Sequence, residues 1–574
     1  DGVTIIGHDG SAWNLSLIAV GDAAPIRAAP VARGNRVEYR RSAFTEWYVN
    51  GPLGLEQGVT LAAPPSVDGA LTVTFAVHGA AATPDGDNAR IHLPNGGTLR
   101  YGGLAAADAT GRALPTTLSA DGDTLRIAVD DRGAAYPVTI DPLVQQVQLL
   151  PADIATTAQF GYAVAVSDDG TTALVGATPP APGQSNNVTV VAYVFVRNGT
   201  TWTQQQRLTN GSFTLNPLEG DAEIHAWVAL SRDGNTALLY HPASPAVYVR
   251  TGGVWSLQQQ LPSGAGTLEL KTVALSGDGN TAFIASGTQT GYAVFVYVRT
   301  GTTWAQQGTP LAPNGVRGQD RFGTRLGLAA STDGNTAVVG APADAANKGA
   351  AYVFIRDPAT QAWSQRTKLT ASDGVAGDYF GTSVAVSADG NTALIGAYGS
   401  ANFKGAAYFY VHGAGTTYAE QKIPGSGPCD SSPSGHADQC SFGTTVALSG
   451  DASTAMIGLQ GKFTQSLGAV FRYRRGGAIY QQLEVISGQN PGDEMGRSGL
   501  AANGDGTTIL VGTPLTVISG HTGGAVYVYV PQIPNPIPPS QPPGISGGSP
   551  APLPIARPAG PGGGVPAPLP NPRP

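Results

Sequence analysis

Residues 145–530 repeat a pattern of short apolar runs separated by turns. In the clearest copy, FGTSVAVSADGNTALIGA (Phe380–Ala397), Val384 and Val386 fall on one face of a strand and the alanine between them on the other. An Asp-Gly turn follows, and the run TALIGA after it is apolar on both faces, as in a strand between neighbouring sheets. A strand rich in aromatic residues comes next, at Lys404–Val411. Each copy therefore predicts an antiparallel hairpin followed by a third strand.

A fourth strand is predicted from the pattern Trp-x-x-Gln-Gln, which occurs in Thr200–Leu208, Val254–Leu261 and Thr302–Gly308. Its glutamines and weak apolar character are typical of the outer edge of a sheet. Four strands recurring every 45 to 64 residues form one blade of a β-propeller. Seven turn aspartates mark seven copies: Asp169, Asp233, Asp278, Asp333, Asp389, Asp451 and Asp505.

The sequence also predicts how the ring closes. The seventh copy ends at Tyr527–Val530 and runs directly into a proline-rich segment, so it lacks a fourth strand of its own. The stretch VQQVQLL (Val144–Leu150), just before the first copy, resembles the missing strand. We therefore predict that Val144–Leu150 supplies the outer strand of the seventh blade, which leaves no free edge in the ring.

These copies resemble FG-GAP repeats, the blade units of the integrin α-subunit propeller and of many bacterial secreted proteins. The resemblance rests on the Phe-Gly start, the Asp-Gly turn and the VGAP or IGA ending, and it covers residues 145–530 of the 574. It is strong for the first, fourth, fifth and sixth copies and weaker for the others. It implies a seven-bladed propeller of a kind often used for adhesion or protein binding.

The turns depart from that family in one respect. The integrin-like repeat often carries a calcium loop of alternating acidic residues, whereas the turns here read SDDGTT, SRDGNT, SGDGNT, STDGNT and SADGNT. Calcium takes about six to eight oxygen ligands, which one carboxylate per turn does not organise. We predict tight hairpin turns and no cofactor, with calcium binding as the alternative.

Residues 1–143 contain no repeat and consist of short apolar strands such as VTIIG, LTVTFAV and LRIAVDD. We predict an all-β domain resembling a sandwich. The stretches AFTEWYVNGPLGLEQGVTL and LRYGGLAAADATGRALP resemble a module of bacterial secreted FG-GAP proteins. Within it, Trp47, Tyr48, Asn50 and Glu56 either form a site or, as we favour, serve core packing and a turn.

Residues 531–574 are rich in proline and glycine and carry two related segments, Ala551–Pro558 and Ala567–Pro574. Such a segment cannot bury enough apolar surface to fold alone, and its proline runs favour polyproline II. The tail is therefore either a flexible linker or stalk, or a strap that docks on another subunit.

The composition of the chain restricts its possible partners and its location. Charged residues make up 12% of the chain, the net charge is −7, and no Lys/Arg cluster suggests a nucleic-acid partner. No apolar run is long enough for a transmembrane helix. The start at Asp1 is expected of a secreted chain whose signal has been removed. Cys429 and Cys440, close together in PCDSSPSGHADQC, predict a local disulfide formed in an oxidising compartment, with free thiols as the alternative.

No catalytic, phosphate-binding, dinucleotide-binding or metal motif occurs in a convincing context, so we predict no catalytic, cofactor or metal residue. His225 and His241, beside a strand pair of blade two, are interpreted as surface or packing residues. The acidic pair Asp493–Glu494, where other blades have Phe-Gly, is interpreted as a solvated turn. Four sequons could carry glycans: Asn14, Asn187, Asn198 and Asn210.

These observations predict an extracellular structural or adhesive protein that is not an enzyme. It would act through protein–protein contacts in a surface fibre or layer, with its tail docked on a neighbour; its partners would be other copies, cell-surface proteins or glycans. The alternative is a monomeric secreted module that binds a protein or glycan through its rim loops. A hydrolase or lyase with a site at the rim or channel is the third hypothesis.

Overall fold

A computed structural model describes residues 2–529 of the chain, apart from a set of internal segments. The predicted Cys429–Cys440 disulfide, His225, Asp493 and the tail 531–574 lie outside the described residues. The internal segments left out are 7–11, 22, 34–35, 52–53, 66–70, 86–87, 94–97, 102–103, 111, 143–144, 154–158, 179–186, 199–200, 215–225, 242–243, 263–271, 289–290, 314–319, 325, 414, 416, 426–440, 461–467, 478, 488–493 and 519–520.

The N-terminal region forms a five-stranded sheet, a seven-stranded sheet and a three-stranded sheet around one hydrophobic core. In chain order its strands are β1 Val3–Ile6, β2 Ala12–Val20, β3 Pro30–Arg33, β4 Arg36–Arg40, β5 Phe44–Gly51, β6 Gly54–Leu61, β7 Leu71–His78, β8 Ala81–Asp85, β9 Asn88–His92, β10 Thr98–Tyr101, β11 Leu104–Ala107, β12 Ala113–Leu114, β13 Thr116–Asp121, β14 Thr124–Val129 and β15 Val138–Pro142. The sheet orders are β1-β2-β7-β14-β13, β12-β11-β15-β6-β5-β4-β3 and β10-β9-β8. Alternate residues such as Val73 and Phe75 of β7 point inward and share the core with Leu61 of β6.

Residues 145–529 form seven four-stranded antiparallel sheets, counted over the described part of the chain. Blade by blade, the strands are β17 Val164–Val166, β18 Thr172–Ala177, β19 Asn187–Asn198 and β20 Thr201–Thr214; β21 Val228–Leu230, β22 Thr236–Leu239, β23 Ala246–Thr251 and β24 Val254–Gln260; β25 Val273–Leu275, β26 Thr281–Thr288, β27 Gly291–Thr300 and β28 Thr303–Gln306; β29 Leu328–Ala330, β30 Thr336–Ala341, β31 Ala350–Arg356 and β32 Trp363–Leu369; β33 Ser383–Val386, β34 Thr392–Ala397, β35 Ala406–His412 and β36 Tyr418–Pro424; β37 Phe442–Leu448, β38 Thr454–Leu459, β39 Ala469–Gly476 and β40 Ile479–Ser487; and β41 Leu500–Ala502, β42 Ile509–Thr513, β45 Ala525–Tyr529 and β16 Gln145–Leu149. Between β42 and β45 lies the small pair β43 Val517–Ile518 and β44 His521–Thr522, and two helical turns are α1 Asp344–Asn347 and α2 Ser400–Phe403.

The first strands of successive blades lie side by side around a closed ring, from β17 through β41 and back to β17. Strand β16 completes the seventh blade by pairing with β45, with Gln148 opposite Tyr527 and Leu149 opposite Val526. This confirms the prediction that the segment before the first copy supplies the missing outer strand. The prediction of an all-β chain is confirmed as well. Strands β11 and β12 of the N-terminal region lie against β40 of blade six.

The Phe-Gly and Gly-Ala motifs form the joints between blades. In blade five, Tyr379 has a left-handed φ of 53°, and Phe380 is fully buried against the ring of Tyr408. The following Gly381 has a φ of 92°. Its carbonyl oxygen lies so close to Gly340 of blade four that a Cβ on Gly340 would overlap it. The same glycine-to-glycine approach occurs at three further joints: Gly396 with Gly443, Gly458 with Gly496, and Gly512 with Gly161.

Candidate functional site

The Asp turns all lie on one face of the ring, which we call the turn face. In blade five, the Ser387 hydroxyl donates to Asp389 Oδ1 at 2.5 Å, and the Asn391 backbone and side-chain amides donate to the two carboxylate oxygens at 3.0 Å each. The Thr392 backbone N–H donates to Ser387 Oγ at 2.9 Å. Burial raises the pKa of Asp389, but the hydrogen bonds from Ser387 and Asn391 outweigh it and hold the pKa below its ordinary value.

The same arrangement recurs in the other blades, so each carboxylate is occupied by donors from its own turn. Searched over the described residues, the chain holds no group of three or more His, Cys, Asp or Glu side chains that could bind a metal ion. The aspartates and the residues that donate to them are Asp169 with Ser167, Asp233 with Ser231, Asp278 with Ser276, Asp333 with Ser331, Asp451 with Ser449, and Asp505 with Asn503.

We expect calcium to leave the stability of the protein unchanged. The carboxylate oxygens of Asp389 already accept hydrogen bonds within the turn, so a cation would have to displace these donors. A bound ion present at a hundredfold excess over its Kd would stabilise the fold by about 2.7 kcal/mol. Thermal unfolding in millimolar CaCl₂ and in EGTA distinguishes the two cases. A rise in Tm with calcium that Asp389→Asn reduces would contradict this expectation.

Main-chain hydrogen bonds join the seven turns into a circle around the centre of the ring. The residues involved stand mostly between the Ser and the Asp of each turn. The bonds run from Asp168 N to Arg232 O, Arg232 N to Gly277 O, Asp278 N to Thr332 O, Thr332 N to Ala388 O, Ala388 N to Gly450 O, Asp451 N to Gly504 O, and Gly504 N to Asp168 O, at 2.7 to 3.2 Å. The turn face is therefore a continuous belt.

An ion pair crosses the centre of this belt. Arg232 Nη1 of blade two lies 2.7 Å from Asp168 Oδ1 of blade one. The same guanidinium also reaches blade six, where a Cβ on Gly450 would overlap it. Gly277 and Gly504 leave room for the pair, because a Cβ on Gly277 would lie 2.5 Å from Arg232 Cδ and one on Gly504 2.9 Å from Asp168 Cγ. The two side chains lie at the centre of the ring at the turn face, with 25% of Arg232 and 45% of Asp168 exposed.

The opposite face, which we call the loop face, carries a group of rings between blades four and five. Tyr379 and Tyr398 stack with centroids 5.0 Å apart and planes 8° apart, and Phe403 lies 6.0 Å from Tyr398. All three residues are half-buried. We call Tyr379, Tyr398 and Phe403 the aromatic cluster. Val375, in the connection before Tyr379, is 61% exposed.

The backbone holds this cluster in a fixed position. Tyr379 precedes the Phe-Gly joint of blade five, and Tyr398 follows β34 directly. Phe403 ends the turn α2, in which Ala401, Asn402 and Phe403 have φ values of 51°, 60° and 68°. The Phe403 carbonyl accepts a hydrogen bond from Ser441 N of blade six at 2.8 Å. Three successive left-handed residues are costly outside glycine, and contacts with the neighbouring blade hold them in place.

The candidate residues of the N-terminal region serve packing. Trp47 and Tyr48 are 2% and 3% exposed, on opposite faces of β5. The Tyr48 hydroxyl donates to Glu46 Oε1 at 2.5 Å, and burial, with the Glu46 charge second, raises the pKa of Tyr48 far above its usual value. Asn50 and Glu56 lie in the two strands near the β5–β6 turn. The packing interpretation thus holds for Trp47 and Tyr48.

The sequon asparagines lie in different surroundings. Asn14 is half-buried in β2, while Asn187 begins β19 and Asn198 is exposed at its end. Asn210 is 3% exposed, and its side-chain amide donates to the Ser244 carbonyl at 3.0 Å. In the folded chain Asn198 is therefore open to modification and Asn210 is covered. Glycosylation stays a prediction at all four.

Two further candidates have ordinary structural surroundings. His241 is half-buried, and burial lowers its pKa. Glu494 forms an ion pair with Arg497 at 2.5 Å, at the place where other blades have the residue before Phe-Gly.

Across the described residues, no helix is long and apolar enough to cross a membrane.

A closed ring of four-stranded antiparallel sheets, with the outer strand of its last sheet taken from before the first, defines a β-propeller. The family model of the FG-GAP repeat matches residues 143–195, 304–354 and 363–410. The chain is therefore a β-propeller protein, and three of its segments match the FG-GAP repeat, as their motifs predict.

Solved structures, one of them a β-propeller domain, are similar to this chain at low identity. A protein from Lactobacillus plantarum is 15% identical with a TM-score of 0.40, and the match covers 67% of this chain and 96% of that one. The Cps50 (Swd1) β-propeller domain of Myceliophteria thermophila is 10% identical with a TM-score of 0.41, covering 67% of this chain and 99% of the domain. No curated protein matches the sequence.

Proposed function

We propose that this chain is an extracellular structural or adhesive protein that acts through protein–protein contacts made by its loop face. An FG-GAP propeller is in general a protein-interaction module. The observation that carries the proposal is the aromatic cluster of Tyr379, Tyr398 and Phe403, three half-buried residues whose rings lie together on the loop face. Aromatic rings are enriched at protein interfaces because they bury a large area with little loss of conformational entropy.

In this proposal, copies of the chain assemble into a surface fibre or layer, with residues 531–574 of one copy docking on the next. Contacts between two different patches repeat without closing, which gives an open filament. In this proposal the role is non-catalytic, and the Arg232–Asp168 ion pair lies at the centre of the ring at the turn face. A monomeric binding module that uses the same aromatic cluster is the second candidate.

Electron microscopy and sedimentation of the full chain and of a chain ending at residue 530 test this assembly. We expect filaments or layers from the full chain and single particles from the shortened one. Tyr398→Ser should weaken assembly about thirtyfold, as loss of an aromatic hot spot of about 2 kcal/mol does. The matched control is Tyr418→Ser, because Tyr418 is half-buried and its ring lies 5.1 Å from that of His412 at the turn face, tilted by 54°.

Each outcome decides between the candidates. Polymers formed by the shortened chain would show that tail docking is wrong. A full chain that remains monomeric at all concentrations would favour the binding module. If Tyr398→Ser and Tyr418→Ser weakened assembly equally, the loop face would not be the contact surface.

A further inference from the structure

At three seams of the described chain, a glutamine side chain joins the outer strands of neighbouring blades. Gln206 of blade one accepts a hydrogen bond from the backbone N–H of Trp255 in blade two and donates one to its carbonyl, both at 2.9 Å. The carboxamide thus pairs with the edge of the next sheet as a further strand would. The same pair of bonds, at 2.8 and 2.9 Å, links Gln259 with Trp304, and Gln421 with Tyr480.

This link is missing between blades three and four. Gly308 stands four residues after Trp304, the spacing at which the linking glutamines follow Trp202 and Trp255. Within the described chain, the Trp363 backbone N–H and carbonyl that face blade three have no hydrogen-bond partner, although its indole N–H donates to Gln307 Oε1 at 3.0 Å.

The missing link leaves a cavity at the seam. Strand β28 ends at Gln306, and the chain after it turns aside so that Leu311 pairs with Val294 of β27. The space between has a volume of about 210 Å³ and is lined by Thr309–Ala312, Phe354, Trp363 and Gln365. Pockets for whole small molecules usually measure about 300–1,000 Å³, so this one has the size for a side chain.

We propose that this seam binds an extended segment of a partner protein through a glutamine or asparagine side chain. A primary carboxamide supplies both the acceptor that the Trp363 N–H needs and the donor that its carbonyl needs. A carboxylate of the same shape supplies no donor and would face the carbonyl oxygen. The flanking residues of the segment lie along the open edge of β32, the mode in which a peptide adds to an exposed strand. The site is separate from the aromatic cluster and does not depend on it.

The test uses the full chain labelled with 5-fluorotryptophan and followed by ¹⁹F NMR, with Trp363 assigned from the spectrum of Trp363→Phe. The probe is a capped peptide with the sequence VWSLQQQL, residues 254–261, whose Gln259 makes the internal link to Trp304. We expect a saturable shift of the Trp363 resonance. The peptide with Glu in place of Gln at position 259 should bind at least tenfold more weakly.

Gly308→Gln should supply the missing internal carboxamide and weaken binding of the peptide at least tenfold. Gly301→Gln is the matched control, because both glycines have a left-handed φ, 64° and 63°, with no atom near a new Cβ. This control should bind the peptide as the native chain does. The absence of a Trp363 shift, equal binding of the Glu peptide, or equal binding by Gly308→Gln would each overturn the proposal. If Gly308→Gln fails to fold, the proposal is tested by comparing the binding of the Gln and Glu peptides to the native chain.

Discussion

Gly340→Ala is expected to destabilise the propeller by about 3 kcal/mol or more, as overpacking against an immobile neighbour does. The new methyl group would overlap the carbonyl oxygen of Gly381 in the next blade. That carbonyl belongs to the backbone, and Gly381 itself packs closely against the Ala350 carbonyl of blade four. The backbone at Gly381 therefore has no space into which it could move away from the new methyl group. Urea unfolding and the thermal midpoint measure the loss.

Gly301→Ala is the matched control for this substitution. Gly301 has a φ of 63°, and a Cβ there meets no atom within 4 Å. Alanine at that position carries only the left-handed backbone cost of about 1–2 kcal/mol. The φ of Gly340 lies in a range that alanine adopts freely, so its cost is steric. If Gly340→Ala destabilised the protein no more than this control, the glycine joint would not be the close contact described above.

Leu149→Asp is expected to open the ring at blade seven. Leu149 is 2% exposed, lies opposite Val526 and packs in the core that blades seven and one share, which includes Phe160. An unpaired carboxylate at this position costs several kcal/mol, so β16 should separate from β45. Chemical unfolding of the variant should begin at a lower denaturant concentration than that of the native chain and extend over a broader range.

Leu150→Asp tests whether the effect belongs to burial rather than to the charge. Leu150 is the next residue and is 36% exposed. Its substitution should change stability by no more than about 0.5 kcal/mol, as at an ordinary surface position. Similar losses from the two variants would mean that Leu149 does not seal the ring.

Much of the fold follows from residues that are neighbours in the sequence. Alternation at Val384 and Val386, the Asp-Gly turn at Asp389 and the apolar run after it are local patterns with a local structural meaning. Because these patterns repeat, the sequence also predicts a ring, and the Gln-rich stretch before the first copy predicts how the ring closes. The glycines of the Phe-Gly and Gly-Ala motifs are visible in the sequence, but their mutual contact is not.

The candidate sites were much harder to predict. Trp363 lies outside the three segments with the Trp-x-x-Gln-Gln pattern, and the only sequence signal for the open seam beside it is Gly308 in place of a glutamine. Likewise, glycine at 277, 450 and 504 marks the places where Arg232 and Asp168 need space, without naming them as partners.

The sequence by itself determined the strands, their turns, the repeat and the closing segment, because backbone geometry ties each to adjacent residues. Only the tertiary structure decided that Arg232 reaches Gly450, 218 residues away, and that Tyr379 stacks on Tyr398. Such contacts depend on the angle and spacing between whole sheets once the ring is closed. No local pattern encodes that geometry, so distant side chains meet only in the folded chain.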